Sequence, residues 1–264
     1  MKIYTKQMLI ETLFAIRDRG WIKNENRLGN AGAIGNMLED LLGIDENNLP
    51  IPNASEWELK SSNVKSNALT TLFHVEPSPK TLKLVVTLLL PSYGWGHQEA
   101  GTKYAASELS FRQTIRASQK SDRGFKIVVN RQVRRVEVSF DAHSVNRNRH
   151  IDWLESVDKR VGLAELNPQP YWGFDDLTYI AGTKLKNMFY IGASRKSDLG
   201  FEYFHYNQAM ILSGFSGEKF IAMVEAGNIF VDFDARSGHN HGTKFRIRRK
   251  LIPELYEERQ IIFE

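Results

Sequence analysis

The residues whose types and spacing carry the most chemistry are Glu58, Leu59 and Lys60. Two apart on a strand, Glu58 and Lys60 point to one face, and Trp57 and Leu59 point to the other, toward a core. A carboxylate and an ammonium projecting together from a sheet suit the cutting of a phosphodiester. The carboxylate is a ligand for a hard divalent cation, which activates water and phosphate. The lysine, a compact point charge, orients the attacking water and offsets charge growing on the phosphate. The same spacing also describes an ordinary solvated strand face. Two neighbours add weight to the first reading. Glu39 stands on a short upstream helix, beside the stripe Ile34, Leu38 and Leu42, and can lean toward the sheet. Pro52-Asn53 comes just before the strand, where proline fixes an extended entry and Asn53 can reach the same cation.

A second segment suggests what such a site would act on. Arg236 to Lys250 contains six lysines or arginines and no acid. Lys244, Arg246 and Arg248 alternate with Phe245 and Ile247, which gives a strand with a basic face and an apolar back. Such a face offers phosphate contacts and guanidinium forks that match guanine O6 and N7. His239, Asn240 and His241 sit on the glycine-bounded loop before it and suit base edges, with Arg236 a further candidate. The alternatives are a solvated basic face, or a metal-binding His-Asn-His turn completed by Asp232 or Asp234. Trp95, Lys103, Phe111 and Arg112 either line a DNA-binding surface or pack and pair. Lys126 is a candidate second cation for the active site. The run Pro170 to Phe174 reads as a helix staple and core.

The elements that must position these groups follow from periodicity. Residues 5 to 19 form an amphipathic helix with Met8, Leu9, Leu13 and Ile16 on one stripe, Thr5 as N-cap and Gly20 as C-cap. A glycine-rich loop, Gly29 to Gly35, leads to a short helix carrying Leu38, Leu41 and Leu42 and stopped by Gly43. Strands follow at 57–60, 69–75 and 82–90, and a hairpin runs through Phe125–Val129 and Val133–Phe140. Helical patterns begin at Asp152, around Leu177, Ile180 and Leu185, and around Phe220 and Met223. Strands at Asn228–Phe233 and Lys244–Arg248 close the chain. The fold class is mixed α/β, with a soft division near residue 150 between a strand-rich half and a helix-richer half.

Composition narrows the function classes. The 264 residues can bury a substantial core, and 35 lysines and arginines against 31 acids give a formal charge of +4, a mild lean toward nucleic acid. The absence of cysteine removes disulfides, thiolate metal sites and cysteine nucleophiles, and fits a reducing cytoplasm. No stretch reads as a signal peptide or a membrane span.

The run Gly29-Asn30-Ala31-Gly32-Ala33-Ile34-Gly35, Leu38-Glu39-Asp40-Leu41-Leu42, Pro52-Asn53 and Glu58-Leu59-Lys60 resembles the MvaI/BcnI family of type II restriction endonucleases. These are relatives of the mismatch-repair nicking enzyme MutH within the PD-(D/E)XK nuclease fold. Later blocks extend the resemblance: Leu69 to Phe73, Gly124 to Ile127, Tyr171 to Asp175, His239 to Thr243 and Phe245 to Ile247. It implies a restriction-endonuclease-like mixed sheet flanked by helices, in two lobes forming a DNA cleft: a catalytic lobe at 1–150 and a recognition lobe at 151–264. It implies a monomer that cuts double-stranded DNA at a short sequence with Mg2+, or Mn2+ as substitute, leaving 5′-phosphate and 3′-hydroxyl ends. A cognate methyltransferase would be its functional companion.

Carried over by position, the strand glutamate falls on Glu58, the lysine on Lys60, the helix glutamate on Glu39 and the metal-binding aspartate on Asn53. Base-reading residues fall on His239, His241 and Arg246, and Asn240 stands where an aspartate occurs. Asn53 is the sharper departure, since an amide offers a neutral carbonyl in place of a charged carboxylate. It is a weaker native ligand, or Glu56 replaces it, or the change is an inactivating one. The last would make the chain a silent sequence-specific DNA-binding protein. A MutH-like nicking enzyme is the third alternative.

Overall fold

The computed structural model describes residues 4–25, 32–44 and 57–264. In chain order its regular elements begin with α1 (Lys6–Asp18), β1 (Ile22–Lys23), α2 (Ala33–Leu42), β2 (Glu58–Asn63), β3 (Leu69–His74), α3 (Leu90–Tyr93) and β4 (Trp95–Gly96). Then come β5 (Leu109–Ile115), β6 (Phe125–Asn130), β7 (Arg135–Phe140), α4 (Arg147–Val161), β8 (Tyr171–Gly173) and α5 (Phe174–Leu185). The chain ends with β9 (Asn187–Asp198), β10 (Phe201–Phe215), α6 (Gly217–Glu225), β11 (Ile229–Arg236), β12 (His239–Asn240), β13 (Lys244–Arg248) and β14 (Tyr256–Phe263).

The chain forms two compact units, each assembled from separate stretches. Unit 1 comprises residues 1–70, 179–219 and 249–264; unit 2 comprises 71–178 and 220–248. A single division near residue 150 does not correspond to this partition. Pairing explains why: β2 lies parallel to β9, more than a hundred residues later in sequence, so unit 1 cannot be a continuous stretch.

Unit 1 is built on one sheet in the order β2-β9-β10, with β1 and β14 both antiparallel to β10 along its other edge. Strand alternation gives this sheet two faces. On one, Leu59, Phe189, Ile191, Ala193, Phe204, Tyr206 and Ile211 pack against Leu9, Leu13 and Ile16 of α1 and Met37, Leu38 and Leu42 of α2. The Tyr206 hydroxyl crosses that layer and donates to the Ile34 carbonyl, 2.8 Å away. The N-cap is the one expected from sequence; the C-cap is Arg19, with Gly20 the left-handed residue just after it. The Thr5 hydroxyl accepts from the Met8 amide, and Gly20, at φ +67, donates to the Arg17 carbonyl. Gly43 ends α2 in the left-handed region, where glycine carries no Cβ penalty.

Unit 2 carries a sheet in the order β3-β13-β11-β5-β4, with β12 on β11, and a three-stranded sheet β6-β7-β8. Its interior is rich in rings: Phe111 meets Phe125 and Phe233 edge-on, and Phe73 stacks on Phe245 at 5.2 Å.

Several expected elements differ. The stretch 82–90 is helical, running through a π-turn at Val85–Leu89 into α3. Its buried residues Leu84, Val85, Leu89, Leu90 and Tyr93 recur at helical spacing while Val86 is exposed; a short apolar run does not separate helix from strand by itself. Ala33 to Gly35, expected in a loop, already belong to α2. The second half carries α4 to α6, as expected, but the first half is not where the strands concentrate, since β8 to β14 all fall in the second. No helix among the described residues is long and apolar enough to cross a membrane.

Candidate active site and nucleic-acid interface

Glu58 opens β2, an edge strand of the unit 1 sheet. Its face, shared with Lys60 and Ser62, is the one opposite the α1–α2 core. The Glu58 carboxylate is wholly buried. Neither oxygen makes a hydrogen bond of regular geometry; two ammonium groups hold it by charge. Lys60 Nζ lies 2.5 Å from Oε1, and Lys184 Nζ, from α5, lies 3.3 Å from Oε2. The lysine side chains are 21% and 11% exposed, so both remain largely shielded from water. The Tyr256 hydroxyl is buried without a hydrogen-bond partner in the same neighbourhood. Burial, and then the Glu58 charge, push its phenol above the ordinary range.

The polar line continues along the sheet. The Ser62 and Tyr190 hydroxyls are 2.8 Å apart, and Tyr190 is the cross-strand neighbour of Lys60. Arg249 lies across the line, donating to the Val64 carbonyl at 2.9 Å and to Gln208 Oε1 at 2.7 Å. Gly192 makes this crossing possible: a Cβ there would come within 2.8 Å of the Arg249 guanidinium and of Gln208.

The structure thus brings Glu58 and Lys60 together as the sequence predicts and adds Lys184, which sequence reasoning missed. The signal was present in α5, where Leu177, Ala181 and Leu185 form a buried stripe. Lys184 falls on that stripe, and a lysine there needs a counter-charge. Lys126, the expected second cation, is on β6 in unit 2. Glu39 is half-buried on α2, the helix that covers the Leu59 side of the sheet. Asn53 and Glu56 lie outside the described residues. Among those described, no group of three or more histidines or acids could hold a metal ion. A buried carboxylate with no regular hydrogen bond on either oxygen fits one ligand position of a hard cation.

In unit 2 the predicted basic strand is β13, with Lys244 and Arg246 half-buried and Arg248 exposed. Its own stretch holds no acid, but its sheet partner β11 supplies two. Arg246 Nη1 donates to Asp232 Oδ2 at 3.1 Å, and the Thr114 hydroxyl donates to Oδ1 of the same residue at 2.8 Å. Asp234 receives Lys244 at 3.1 Å and Arg112 at 2.7 Å. Burial alone would raise the Asp234 carboxyl; the hydrogen bond from Lys244 and the charges of Lys244 and Arg112 outweigh it and hold the group below the usual carboxylate range. The basic face is therefore a lattice of alternating charge. His239 and His241 turn to each other, Nε2 to Nδ1 at 3.3 Å, and both aspartates nearest them are committed to cations. Asn240 uses its Oδ1 to accept from the Gly242 amide, and Thr243 is anchored by Glu76 at 2.7 Å. Arg236 pairs with Glu108 at 3.1 Å. Phe111 is core; Trp95 packs on it and lies 3.9 Å from the Arg123 guanidinium. Lys103 pairs with Glu99. Trp172 and Phe174 are buried, in line with a packing role.

Residues 10–256 match the family model described as the MvaI/BcnI restriction endonuclease family. The chain belongs to that family. It is a sequence-specific type II restriction endonuclease with a mixed α/β fold. Among solved structures it is similar to one described as "Restriction endonuclease MvaI-cognate DNA substrate complex", at a TM-score of 0.76 and 24% identity over 98% of this chain and 99% of that one. It is also similar to "Restriction endonuclease MvaI in the absence of DNA", at 0.54 and 23% over 99% and 100%. Both show likeness of fold. Direct comparison with curated protein sequences gives no match.

Proposed function

We propose that this enzyme hydrolyses double-stranded DNA at Glu58 and Lys60 in unit 1 and selects its sequence through the β11–β13 face of unit 2. The observation that carries the reading is the Glu58 carboxylate, buried and held by two ammonium groups on an edge strand. Burying a charge is costly even when it is paired, so a carboxylate kept wholly buried between two lysines supports a functional role for it. Glu58 and Asn53 would hold the cation, Mg2+ or Mn2+ in its place; Glu39, on the helix over the opposite face, could act only from the rim of the sheet. When bound, that ion supplies Lewis acidity toward the phosphate. Lys60 orients the attacking water and balances charge on the reacting phosphate. The products are 5′-phosphate and 3′-hydroxyl ends. Arg236, His239, Asn240, His241, Lys244, Arg246 and Arg248 meet the duplex. The enzyme acts as a monomer in a reducing cytoplasm, protected by a cognate methyltransferase.

Asn53 favours a second reading, a DNA-binding protein with little cutting activity, because it withdraws one negative charge from the cation. Incubation of mixed-sequence duplex with Mg2+ or Mn2+, followed by sequencing of the ends, separates the two. Cutting at one short sequence supports the nuclease; binding without a single cut or nick supports the other. Asn53→Asp raises the cleavage rate at limiting Mg2+. A fall instead makes the amide the ligand the site requires.

A further inference from the structure

We infer that Tyr104 and Glu108 are positioning residues that fix Arg236 so that its free two-donor edge reads a guanine; this rests on the proposed role of unit 2 in recognition. Arg236 is the last residue of β11, cross-strand from His239 and from Ser110. Its Nη1 donates to Glu108 Oε1 at 3.1 Å and to the Ser237 carbonyl at 3.2 Å. Its guanidinium lies over the Tyr104 ring, 4.6 Å from the centroid. Nε and Nη2 have no hydrogen-bond partner among the described residues. Those two N–H groups form the side edge of the guanidinium, two parallel donors in one plane. Guanine presents two acceptors, O6 and N7, at matching spacing in the major groove.

The loop before β5 is organised around this arginine. The Glu99 carbonyl accepts from the Lys103 and Tyr104 amides, and the His97 ring meets the Tyr104 ring edge-on at 4.9 Å. The His97 amide donates to the Glu108 carbonyl, and Leu109 and Ser237 exchange two hydrogen bonds, each of 3.0 Å. Glu108 is buried, so its charge is available to Arg236 more than to water. A free arginine loses several rotors on binding a base; here stacking and the Glu108 bond hold the guanidinium plane before DNA arrives. A purely structural Arg236–Glu108 pair would also stabilise the loop, but it would not couple to one particular base atom.

That coupling is the test. Duplexes carrying the mapped cut site are made with 7-deazaguanine, which lacks the N7 acceptor, in place of one guanine at a time. Parent enzyme loses about tenfold in kcat/KM at the guanine that Arg236 reads. Arg236→Ala erases the penalty at that guanine and leaves the penalties at the others. Glu108→Gln and Tyr104→Ala shrink it to less than about threefold, and Tyr104→Phe, which keeps the ring face, retains it. An unchanged penalty in both Glu108→Gln and Tyr104→Ala overturns the inference. So does an Arg236→Ala enzyme slowed equally on every duplex, which would place Arg236 on phosphate. If parent enzyme cuts no duplex, the nuclease reading falls and takes this one with it; if it cuts normally with no Arg236-dependent guanine, only this inference falls.

Discussion

Glu58 in unit 1 and Asp234 in unit 2 are both strand carboxylates caught between two cations, yet their surroundings differ. Glu58 is fully enclosed and Lys184 largely so, Lys60 is as shielded as Lys244, and no regular hydrogen bond supports the Glu58 oxygens. Asp234 is part-exposed, as is Lys244, and Arg112 is open to water. In the first place a missing charge leaves its partners stranded away from solvent, where the cost is high. In the second, water and salt replace a lost partner, so the same change is cheap for stability. The enclosed group suits chemistry, because its electrostatics are strong and fixed. The open lattice suits reading, because its cations can be exchanged to a DNA partner at little cost.

The largest expected consequence is at Glu58. Glu58→Gln leaves Lys60 and Lys184 facing a neutral amide, and lowers stability in urea unfolding by about 3–5 kcal/mol. Adding Lys184→Met to Glu58→Gln recovers part of that loss, because one stranded ammonium is gone. Simple additivity of the two changes would show that Lys184 and Glu58 are not coupled, and would dissolve the contrast with Asp234.

Next in size is Arg246→Ala, which weakens binding of the cognate duplex by about 1–3 kcal/mol and blurs sequence preference. Equal weakening on all sequences, with a shallower salt dependence, would move Arg246 to the phosphate backbone.

The smallest effect belongs to Asp234→Asn, under about 1 kcal/mol near neutral pH. Its sign is set by linkage. The folded carboxyl sits below its unfolded value, so its contribution is fully present above the ordinary carboxylate range and is lost as pH falls through the lowered value. The variant's unfolding free energy should therefore approach the parent's at acid pH. A gap that stays constant down the acid limb would mean that Lys244 and Arg112 do not hold the charge.

These contrasts were unevenly legible in sequence. The helix of α1 and its Thr5 N-cap, the pair Glu58 and Lys60, the β6–β7 hairpin and the limits of β13 follow from period and turn chemistry, and the structure has them. The long β9–β10 hairpin does not announce itself. Met188 to Ala193 are buried without alternation, then Arg195 to Asp198 are exposed, so the strand carries neither a period-2 pattern nor a uniform apolar run. That hairpin is what makes unit 1 discontinuous, which is why a division near residue 150 failed to describe it. Lys184 was hidden because a single charge inside the Leu177–Leu185 stripe reads as the edge of the apolar face until its partner is seen. Asp232 and Asp234 were visible, but only the register of β11 against β13 and β5 reveals that they neutralise the cations beside them.

The division of labour itself is tested most directly with Lys60→Ala, read for cutting and for binding on the same pair of duplexes, cognate and altered by one base pair. Loss of single-turnover cleavage by about 10³-fold, with the parent's preference between the two duplexes intact, is the expected result. Cleavage that survives the substitution, or a loss of preference in step with the loss of cutting, would contradict it.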